Sequence, residues 1–138
     1  MAVTVGINIG LSGLQAAEQR FRNSADNVAN VRSPAAPSVD GPTTDEEGNP
    51  LFQPRQSVDQ SVEGGGVRST QQLVDPSAVQ QFDPDASDAN EDGLVNRANV
   101  ELDREVAEQI TAQRQFEANL ATIQTADELS ESTLDILS

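Results

Sequence analysis

The sequence of 138 residues contains no cysteine, histidine, lysine, tryptophan or tyrosine. Without cysteine and histidine, the chain can form no disulfide and offers no thiol nucleophile, no imidazole general base and no ordinary zinc site. Without lysine, it lacks the amine of Schiff-base chemistry and of a phosphate-binding P-loop. These absences argue against an enzyme, and we expect no catalytic residue, no cofactor and no metal centre.

Aromatic residues and positive charges are also scarce. Four phenylalanines are the only aromatic side chains, so a large independent core is not expected. The formal net charge of −15 opposes binding to nucleic acid or to an anionic membrane. No run reaches the ~20 apolar residues of a membrane span. Gly6, Gly10 and Gly13 interrupt an N-terminal stretch without basic residues, so we expect neither a cleaved signal peptide nor membrane insertion.

Proline and glycine divide the chain into three parts. All seven prolines lie between Pro34 and Pro84, and both 14–33 and 94–138 are free of glycine and proline. We therefore predict an N-terminal helix within residues 1–32, an insert over 33–98 and a C-terminal helix over 99–138. The run Gly64–Gly66 predicts a short β-hairpin in an otherwise irregular insert. The predicted fold class is mainly α, with the two long terminal helices paired as an antiparallel coiled coil.

Each predicted helix carries large apolar residues at heptad spacing, which is typical of a helix-packing seam. The set in the first helix is Leu11, Leu14, Phe21, Ala25 and Val28. The set in the last helix is Val106, Ile110, Phe116, Leu120 and Ile123, with Ile110 one position out of frame. We expect the two sets to face each other. Ser12 and Asn99 are the expected capping residues at the helix starts.

Charge and alanine content also bear on pairing of the two ends. Residues 1–32 have three arginines and two acids, net +1, whereas residues 99–138 have nine acids and two arginines, net −7. The two ends should therefore attract each other weakly. Seven alanines lie off the apolar seams and either permit close approach of helices or only favour helix formation: Ala16, Ala17, Ala29, Ala112, Ala118, Ala121 and Ala126.

One acidic turn partly matches a calcium-binding EF-hand loop. Asp88, Asn90, Asp92 and Gly93 occur at the loop spacing, but the twelfth position is Asn99 instead of the bidentate glutamate. An Asx-rich turn that leads into the last helix explains the same residues. A small acidic calcium-binding protein therefore stays open as an alternative from a different functional class.

Both ends of the chain resemble bacterial flagellar basal-body rod and hook proteins. Residues 12–33, SGLQAAEQRFRNSADNVANVRS, contain the Asn-apolar-Ala-Asn signature as Asn27, Val28, Ala29 and Asn30. The stretch AQRQFEAN, which includes Arg114, Ala118 and Asn119, is similar to the matching C-terminal region. The chain length, GGGVRSTQQLVDPSAVQQFDP and the acidic turn DPDASDANEDGLV are most similar to the proximal rod proteins.

This resemblance implies a structural function. It implies a subunit of the proximal rod, exported by the flagellar type III apparatus without a cleaved signal peptide and located in the basal body within the periplasm. The subunits would assemble into a helical tube that transmits torque and encloses the export channel. The implied partners are other copies of the chain, other proximal and distal rod proteins, the rod-base adaptor, the membrane ring and the export apparatus. A sibling axial subunit remains the nearest alternative.

Overall fold

The computed structural model describes residues 2–137 and contains two long helices with four short strands between them. The elements in chain order are α1 Ala2–Ala29, β1 Arg55–Ser61, β2 Val67–Leu73, β3 Ala78–Phe82, β4 Leu94–Ala98 and α2 Leu102–Leu137. The prediction of a mainly α chain with terminal helices and a β-containing insert is confirmed. Neither helix, within the described residues, is apolar over enough of its length to cross a lipid bilayer.

The strands form two separate two-stranded sheets, β1 with β2 and β3 with β4. Residues 62–66 join β1 to β2, and so short a connection permits only antiparallel pairing. This is the predicted hairpin. The antiparallel sheet of β3 and β4, which pairs Ala78 with Ala98 and Phe82 with Leu94, was not predicted from the sequence.

The chain folds into two units, each assembled from segments that are distant in sequence. The first unit comprises residues 2–22, 57–70 and 107–137, and the second comprises residues 23–56 and 71–106. The first contains most of both helices and the tip of the β1–β2 hairpin. The second contains the β3–β4 sheet and most of the proline-rich insert.

The two predicted capping residues have other functions. α1 begins at Ala2 and runs through Ser12 without a break, and the Ser12 hydroxyl donates to the carbonyl of Ile9 at 2.7 Å. The Asn99 side chain donates to the carbonyl of Pro76 at 2.9 Å, and its backbone N–H donates to Ser77. Asn99 therefore extends the β3–β4 ladder, and α2 begins only at Leu102. With 36 residues, α2 is roughly 54 Å long.

The hairpin tip packs directly on α1 in the first unit. Gly65 and Gly66 have φ values of +100° and +90°, which residues with a Cβ rarely adopt. A Cβ on Gly65 would lie 2.7 Å from Cδ1 of Ile9, and one on Gly66 would lie 2.6 Å from Oγ of Ser12. The same Ser12 oxygen accepts the N–H of Val67 at 3.1 Å. The glycine run is needed for both the turn and its close approach to the helix.

Small residues lie where the two helices of the first unit meet. A Cβ on Gly10 would lie 2.7 Å from Cγ1 of Ile123, and one on Gly13 would overlap the side-chain amide of Asn119. Because the partner residue number falls as the α1 number rises, the two helices are antiparallel neighbours here. We call the following buried or glycine positions the small-residue seam: Gly10, Gly13, Ala16, Ala17, Ala112 and Ala126.

The burial of individual alanines shows which of them pack against other residues and which only favour helix formation. Ala16, Ala17 and Ala112 are almost completely buried, so they pack rather than only favour helix formation. Ala29, Ala118 and Ala121 are exposed. The alanines therefore divide into packing positions and surface positions.

The second unit is built around β4. Val95 and Ala98 of this strand are buried, as are Ala35 and Ala36 of the insert. The N–H of Ala35 donates to the carbonyl of Asn96 at 3.1 Å, so the insert runs along the outer edge of β4. Small apolar residues thus form the core of this unit as well.

Gly6→Ala and Gly10→Ala, compared as single variants, should distinguish the effect of helix packing on stability from the effect of helix propensity. Gly6→Ala adds a methyl group with nothing within 4 Å, and we expect it to stabilise the chain by up to about 1 kcal/mol. Gly10→Ala gains the same propensity but pushes Cβ against the stiff side chain of Ile123. We expect its free energy of unfolding to be lower than that of Gly6→Ala by at least about 1 kcal/mol. Urea unfolding followed by circular dichroism measures both, and equal values would contradict the tight helix contact.

Candidate assembly interface

Large apolar side chains point into solvent along both helices. On α1, Val5, Ile9, Leu11 and Phe21 are 38–48 % exposed. We call the exposed set on one face of α2 the α2 stripe: Leu102, Val106, Ile110, Phe116, Leu120 and Leu134. Leu129, Ile136 and Leu137 are exposed on other faces of the helix. Scattered apolar residues are ordinary on a protein surface, but repeated ones along a helix mark a surface that binds another protein.

The predicted heptad seam residues are mostly on the surface of the single chain. Leu11 and Phe21 are each 47 % exposed. Leu14, Ala25, Val28 and Ile123 are half-buried, whereas Val106, Ile110, Phe116 and Leu120 belong to the α2 stripe. The expectation that the two sets cover each other within one chain is therefore not confirmed. In the first unit, Gly10 and Gly13 of α1 lie against Asn119 and Ile123, of which only Ile123 belongs to the predicted sets. Packing of these residues against other subunits stays a prediction.

The last third of α2 combines exposed apolar residues with acidic ones. No cation follows Arg114 in the described sequence, while Asp127, Glu128, Glu131 and Asp135 do. The C-terminal end of a helix already carries partial negative charge, and its last turn contains no basic residue to offset it. This end therefore favours a partner that supplies cations together with apolar surface.

An uncharged groove lies in the first unit between the beginning of α1 and the last third of α2. Ala2, Val3 and Gly6 line one side, and Ala121 and Leu129 are among the residues of the other. Its volume is about 520 Å³. The small side chains leave room there for an apolar side chain from another molecule.

Arg20 connects three segments of the first unit. Its Nη2 lies 2.7 Å from Oδ2 of Asp59 on β1, and its Nη1 lies 3.5 Å from Oε2 of Glu108 on α2. The side chains of Arg20 and Asp59 are 21 % and 23 % exposed. In contrast, Arg22 forms its ion pair with Glu18 one turn away on the exposed face of α1.

Asn27, a residue of the family signature, is the buried polar centre of the second unit. Its Oδ1 accepts the N–H of Arg55 at 3.0 Å, and its Nδ2 donates to the carbonyl of Arg55 at 2.7 Å. Nδ2 also lies 3.1 Å from Oε1 of buried Glu105. Ser24 donates to the backbone carbonyl of Glu105 at 2.9 Å. The Asn27 amide thereby acts on Arg55 as a neighbouring strand would.

The other signature residues divide between structure and surface. Nδ2 of Asn30 donates to the carbonyl of Asp26, and its Oδ1 accepts the Ser33 hydroxyl, which fixes the chain as it leaves α1. Asn119 lies against Gly13 in the first unit. Arg114, Ala118 and Ala29 are exposed.

Sequence reasoning identified Asn27 only through the signature and did not identify Arg20, Ser24 or Glu105. A usable signal was present, because small and polar residues of α1 recur at alternating spacings of three and four. That second heptad frame comprises Val3, Gly6, Gly10, Gly13, Ala17, Arg20, Ser24 and Asn27.

The acidic turn is occupied by the protein's own donors. Both carboxylate oxygens of Asp88 accept hydrogen bonds from Arg97, at 2.6 and 3.2 Å, and these bonds lower the pKa of the Asp88 carboxyl. Oδ1 of Asn90 accepts the N–H groups of Asp92 and Leu94. Two of the candidate calcium ligands are thus already engaged. Over residues 2–137, no cluster of three acidic residues has the geometry to hold a metal ion.

Comparison with known proteins finds flagellar rod proteins. The family described as flagellar basal body rod FlgEFG protein, C-terminal, matches residues 91–136. The chain is 34 % identical over 135 residues to the flagellar basal-body rod protein FlgC of Yersinia enterocolitica, covering 94 % of this chain and 93 % of the relative.

Two further relatives have the same description. The flagellar basal-body rod protein FlgC of Aquifex aeolicus is 30 % identical, with 98 % of this chain and 97 % of the relative covered. The protein of the same name from Agrobacterium fabrum is 30 % identical, with 91 % and 88 % covered. The similarity therefore includes the insert as well as both helices.

Arg20→Ala should destabilise the first unit far more than Arg22→Ala. Loss of Arg20 leaves the carboxylate of Asp59 partly buried without its cation, and we expect a cost of about 1–3 kcal/mol. Loss of Arg22 breaks an exposed pair within one helix and should cost less than about 0.5 kcal/mol. Urea unfolding of the two variants tests this. Similar costs would mean that Arg20 does not connect the three segments.

Asn27→Asp should destabilise the second unit by about 2–4 kcal/mol at neutral pH. The substitution keeps the shape but removes both donor contacts of Nδ2 and places a carboxylate beside Glu105. Burial and this neighbour raise the pKa of the new carboxyl in the folded state, so the loss of stability should shrink as the pH falls and the carboxyl becomes neutral.

Asn30→Asp is the matched control for this variant. Its amide is accessible and makes one donor contact, so the change should cost less than about 1 kcal/mol. Unfolding curves of both variants between neutral and mildly acidic pH provide the comparison. A pH-independent cost at position 27 would contradict the contact with Glu105.

Proposed function

The chain belongs to the FlgC family of flagellar basal-body rod proteins, and from this membership we propose that it is a structural subunit of the proximal rod. The observation that carries the proposal is similarity at 30 % identity or more over nearly the whole length of named rod proteins. A structural subunit needs surfaces that hold other subunits. The exposed apolar residues of α1 and α2 are such surfaces.

We propose that the helices pack against neighbouring copies and related rod subunits as coiled coils. Each subunit covers its own small-residue seam, while the α2 stripe and the exposed apolar residues of α1 stay available. Burying a large apolar side chain contributes roughly 1.5–3 kcal/mol. Several such side chains per subunit would stabilise an assembly without any covalent link or cofactor.

A helical tube of such subunits would transmit torque through its long helices. α2 extends roughly 54 Å, which is long enough to contact several neighbours in a packed array. Twisting one subunit would then shear many packed contacts together, so the load would be shared. The inner surface of the tube would enclose the export channel.

The charge of the chain defines what its neighbours must provide. Subunits of net charge −15 repel one another, and the acidic residues in the last third of α2 are part of that charge. We infer that rod proteins with arginine or lysine on the contacting surface, the rod-base adaptor and the membrane ring offset this charge. Export through the flagellar type III apparatus and location of the rod in the periplasm follow from the same proposal.

The composition of isolated hook–basal bodies tests the proposal. Cells of the source bacterium that lack the gene should form no complete rod, and the wild-type gene should restore both the rod and swimming. Mass spectrometry of the purified hook–basal bodies should then detect this chain. Complete basal bodies that lack the chain would refute the proposed function.

Phe116→Ala tests whether the α2 stripe is the assembly surface. The phenyl ring is 42 % exposed in the single chain, and its complete burial between subunits would make the substitution cost roughly 3–5 kcal/mol in the assembly. We expect few complete rods from Phe116→Ala. Glu117→Ala alters the neighbouring exposed, charged position and should assemble normally. Normal assembly of both variants would leave the rod function intact but exclude this part of the stripe.

A further inference from the structure

The chain covers one edge of the β3–β4 sheet with its own residues. Along the outer edge of β4, the N–H of Ala35 donates to the carbonyl of Asn96 at 3.1 Å, and the N–H of Asn90 donates to the carbonyl of Leu94 at 3.0 Å. Oδ1 of Asn90 accepts the N–H of Leu94 at 2.9 Å. The N–H and carbonyl of Leu94 and the carbonyl of Asn96 on this edge are therefore occupied.

The register of the sheet determines which groups of β3 face β4. The N–H of Asp83 donates to the carbonyl of Gly93, and the N–H of Asn99 donates to the carbonyl of Ser77, both at 2.9 Å. Each of these pairs is directly opposite in the register. Since bonded and non-bonded pairs alternate in an antiparallel ladder, the odd-numbered residues of β3 bond to β4.

The even-numbered residues of β3 consequently direct their backbone groups away from the sheet. Ala78, Gln80 and Phe82 present three N–H and three carbonyl groups along one free edge. No hydrogen bond connects these six groups to another residue within 2–137. The spacing of two residues is the spacing at which an added strand forms its hydrogen bonds.

The side chains do not protect this edge. Proteins usually protect edge strands with charges, with proline or with a covering segment, whereas β3 reads Ala-Val-Gln-Gln-Phe. Val79 is 47 % exposed and Phe82 is 70 % exposed. The strand therefore offers apolar and amide side chains next to the unpaired backbone groups.

Charge identifies the kind of chain that fits. Asp75 precedes the strand, and Asp83 and Asp85 follow it. Antiparallel pairing of β3 with a second copy, centred on Gln80, would bring Asp75 of each copy close to Asp85 of the other. Like charges across a strand pair are destabilising, so a second copy of this strand is disfavoured. An incoming segment with a cation at each end would instead be attracted to both ends of β3.

We propose that β3 is a docking edge for an extended segment of another protein, uncharged in its middle and carrying arginine or lysine at both ends. The segment adds to the sheet as a third strand and bonds to the backbone of Ala78, Gln80 and Phe82. Because this surface uses neither helix, the proposal is independent of the helix packing proposed for the rod.

Amide hydrogen exchange of the full-length chain, measured by NMR, tests the docking edge. The probe is the synthetic peptide Arg-Thr-Val-Thr-Val-Thr-Val-Thr-Arg. Without peptide, the amides of Val79 and Gln81 should be protected by β4, and those of Ala78, Gln80 and Phe82 should exchange fast. Saturating peptide should slow exchange of the three even-numbered amides by at least about tenfold.

Two substitutions at Gln80 distinguish strand addition from non-specific binding of the peptide. Gln80→Pro removes the central outward N–H but none of the bonds to β4, and proline is tolerated on edge strands. We expect it to weaken peptide binding by at least about tenfold. Gln80→Thr retains the N–H and should bind as the wild type does. Protected amides at Val79 and Gln81 in both variants show that the sheet is intact.

The charge requirement has its own control. A peptide with glutamate in place of both arginines should bind at least about tenfold more weakly at low salt. Three results would overturn the proposal. They are no binding at millimolar peptide, equal binding by Gln80→Pro, or protection of the even-numbered amides that rises with the concentration of the chain alone, which would identify a second copy as the occupant.

Discussion

The close contact between small residues in the first unit determines which surfaces remain for other molecules. Gly10 and Gly13 bring α1 so near to Ile123 and Asn119 that neither position has room for a Cβ. Glycine in a helix interior costs about 1 kcal/mol relative to alanine, so the contact must repay that cost through packing. Because α1 contributes glycine to this contact, few of its large apolar side chains are used inside the chain. Leu11, Phe21 and the α2 stripe are left on the outside.

Polar side chains fix the structure of the second unit in place of large apolar ones. Asn27, Ser24 and Glu105 are buried, and hydrogen bonds among them and to Arg55 fix the end of α1, the start of β1 and the start of α2. Buried polar groups specify one arrangement because any displacement leaves a donor or acceptor unpaired. A chain with four phenylalanines and no other aromatic residue can thus hold a defined local structure without a large core.

The sequence predicted where the helices and the hairpin lie better than it predicted which helix residues pack together. The glycine- and proline-free stretches predicted both helices, and Gly64–Gly66 predicted the hairpin. The β3–β4 sheet was missed because each strand has five residues and their pairing depends on contacts such as Asp83 with Gly93 across an irregular loop. The helix contact was predicted at the large apolar residues of the two heptad sets, of which Ile123 lies in the contact and Phe21 and Phe116 are exposed, because the large apolar residues and the small residues both recur at heptad spacing. Periodicity alone cannot choose between two frames on one helix; the energy of close packing does.

Exposure has different physical meanings on the helices and on β3. On α1 and α2, the free groups are side chains, so the gain on binding scales with the apolar area that a neighbour covers and depends little on its backbone. On β3, the free groups are backbone N–H and carbonyl groups, so binding requires an extended partner in register, and charge at the strand ends selects among such partners. A family of related subunits can share the first kind of surface because apolar packing tolerates substitution. The second kind discriminates, because an edge flanked by Asp75, Asp83 and Asp85 attracts a cationic segment and repels its own copy.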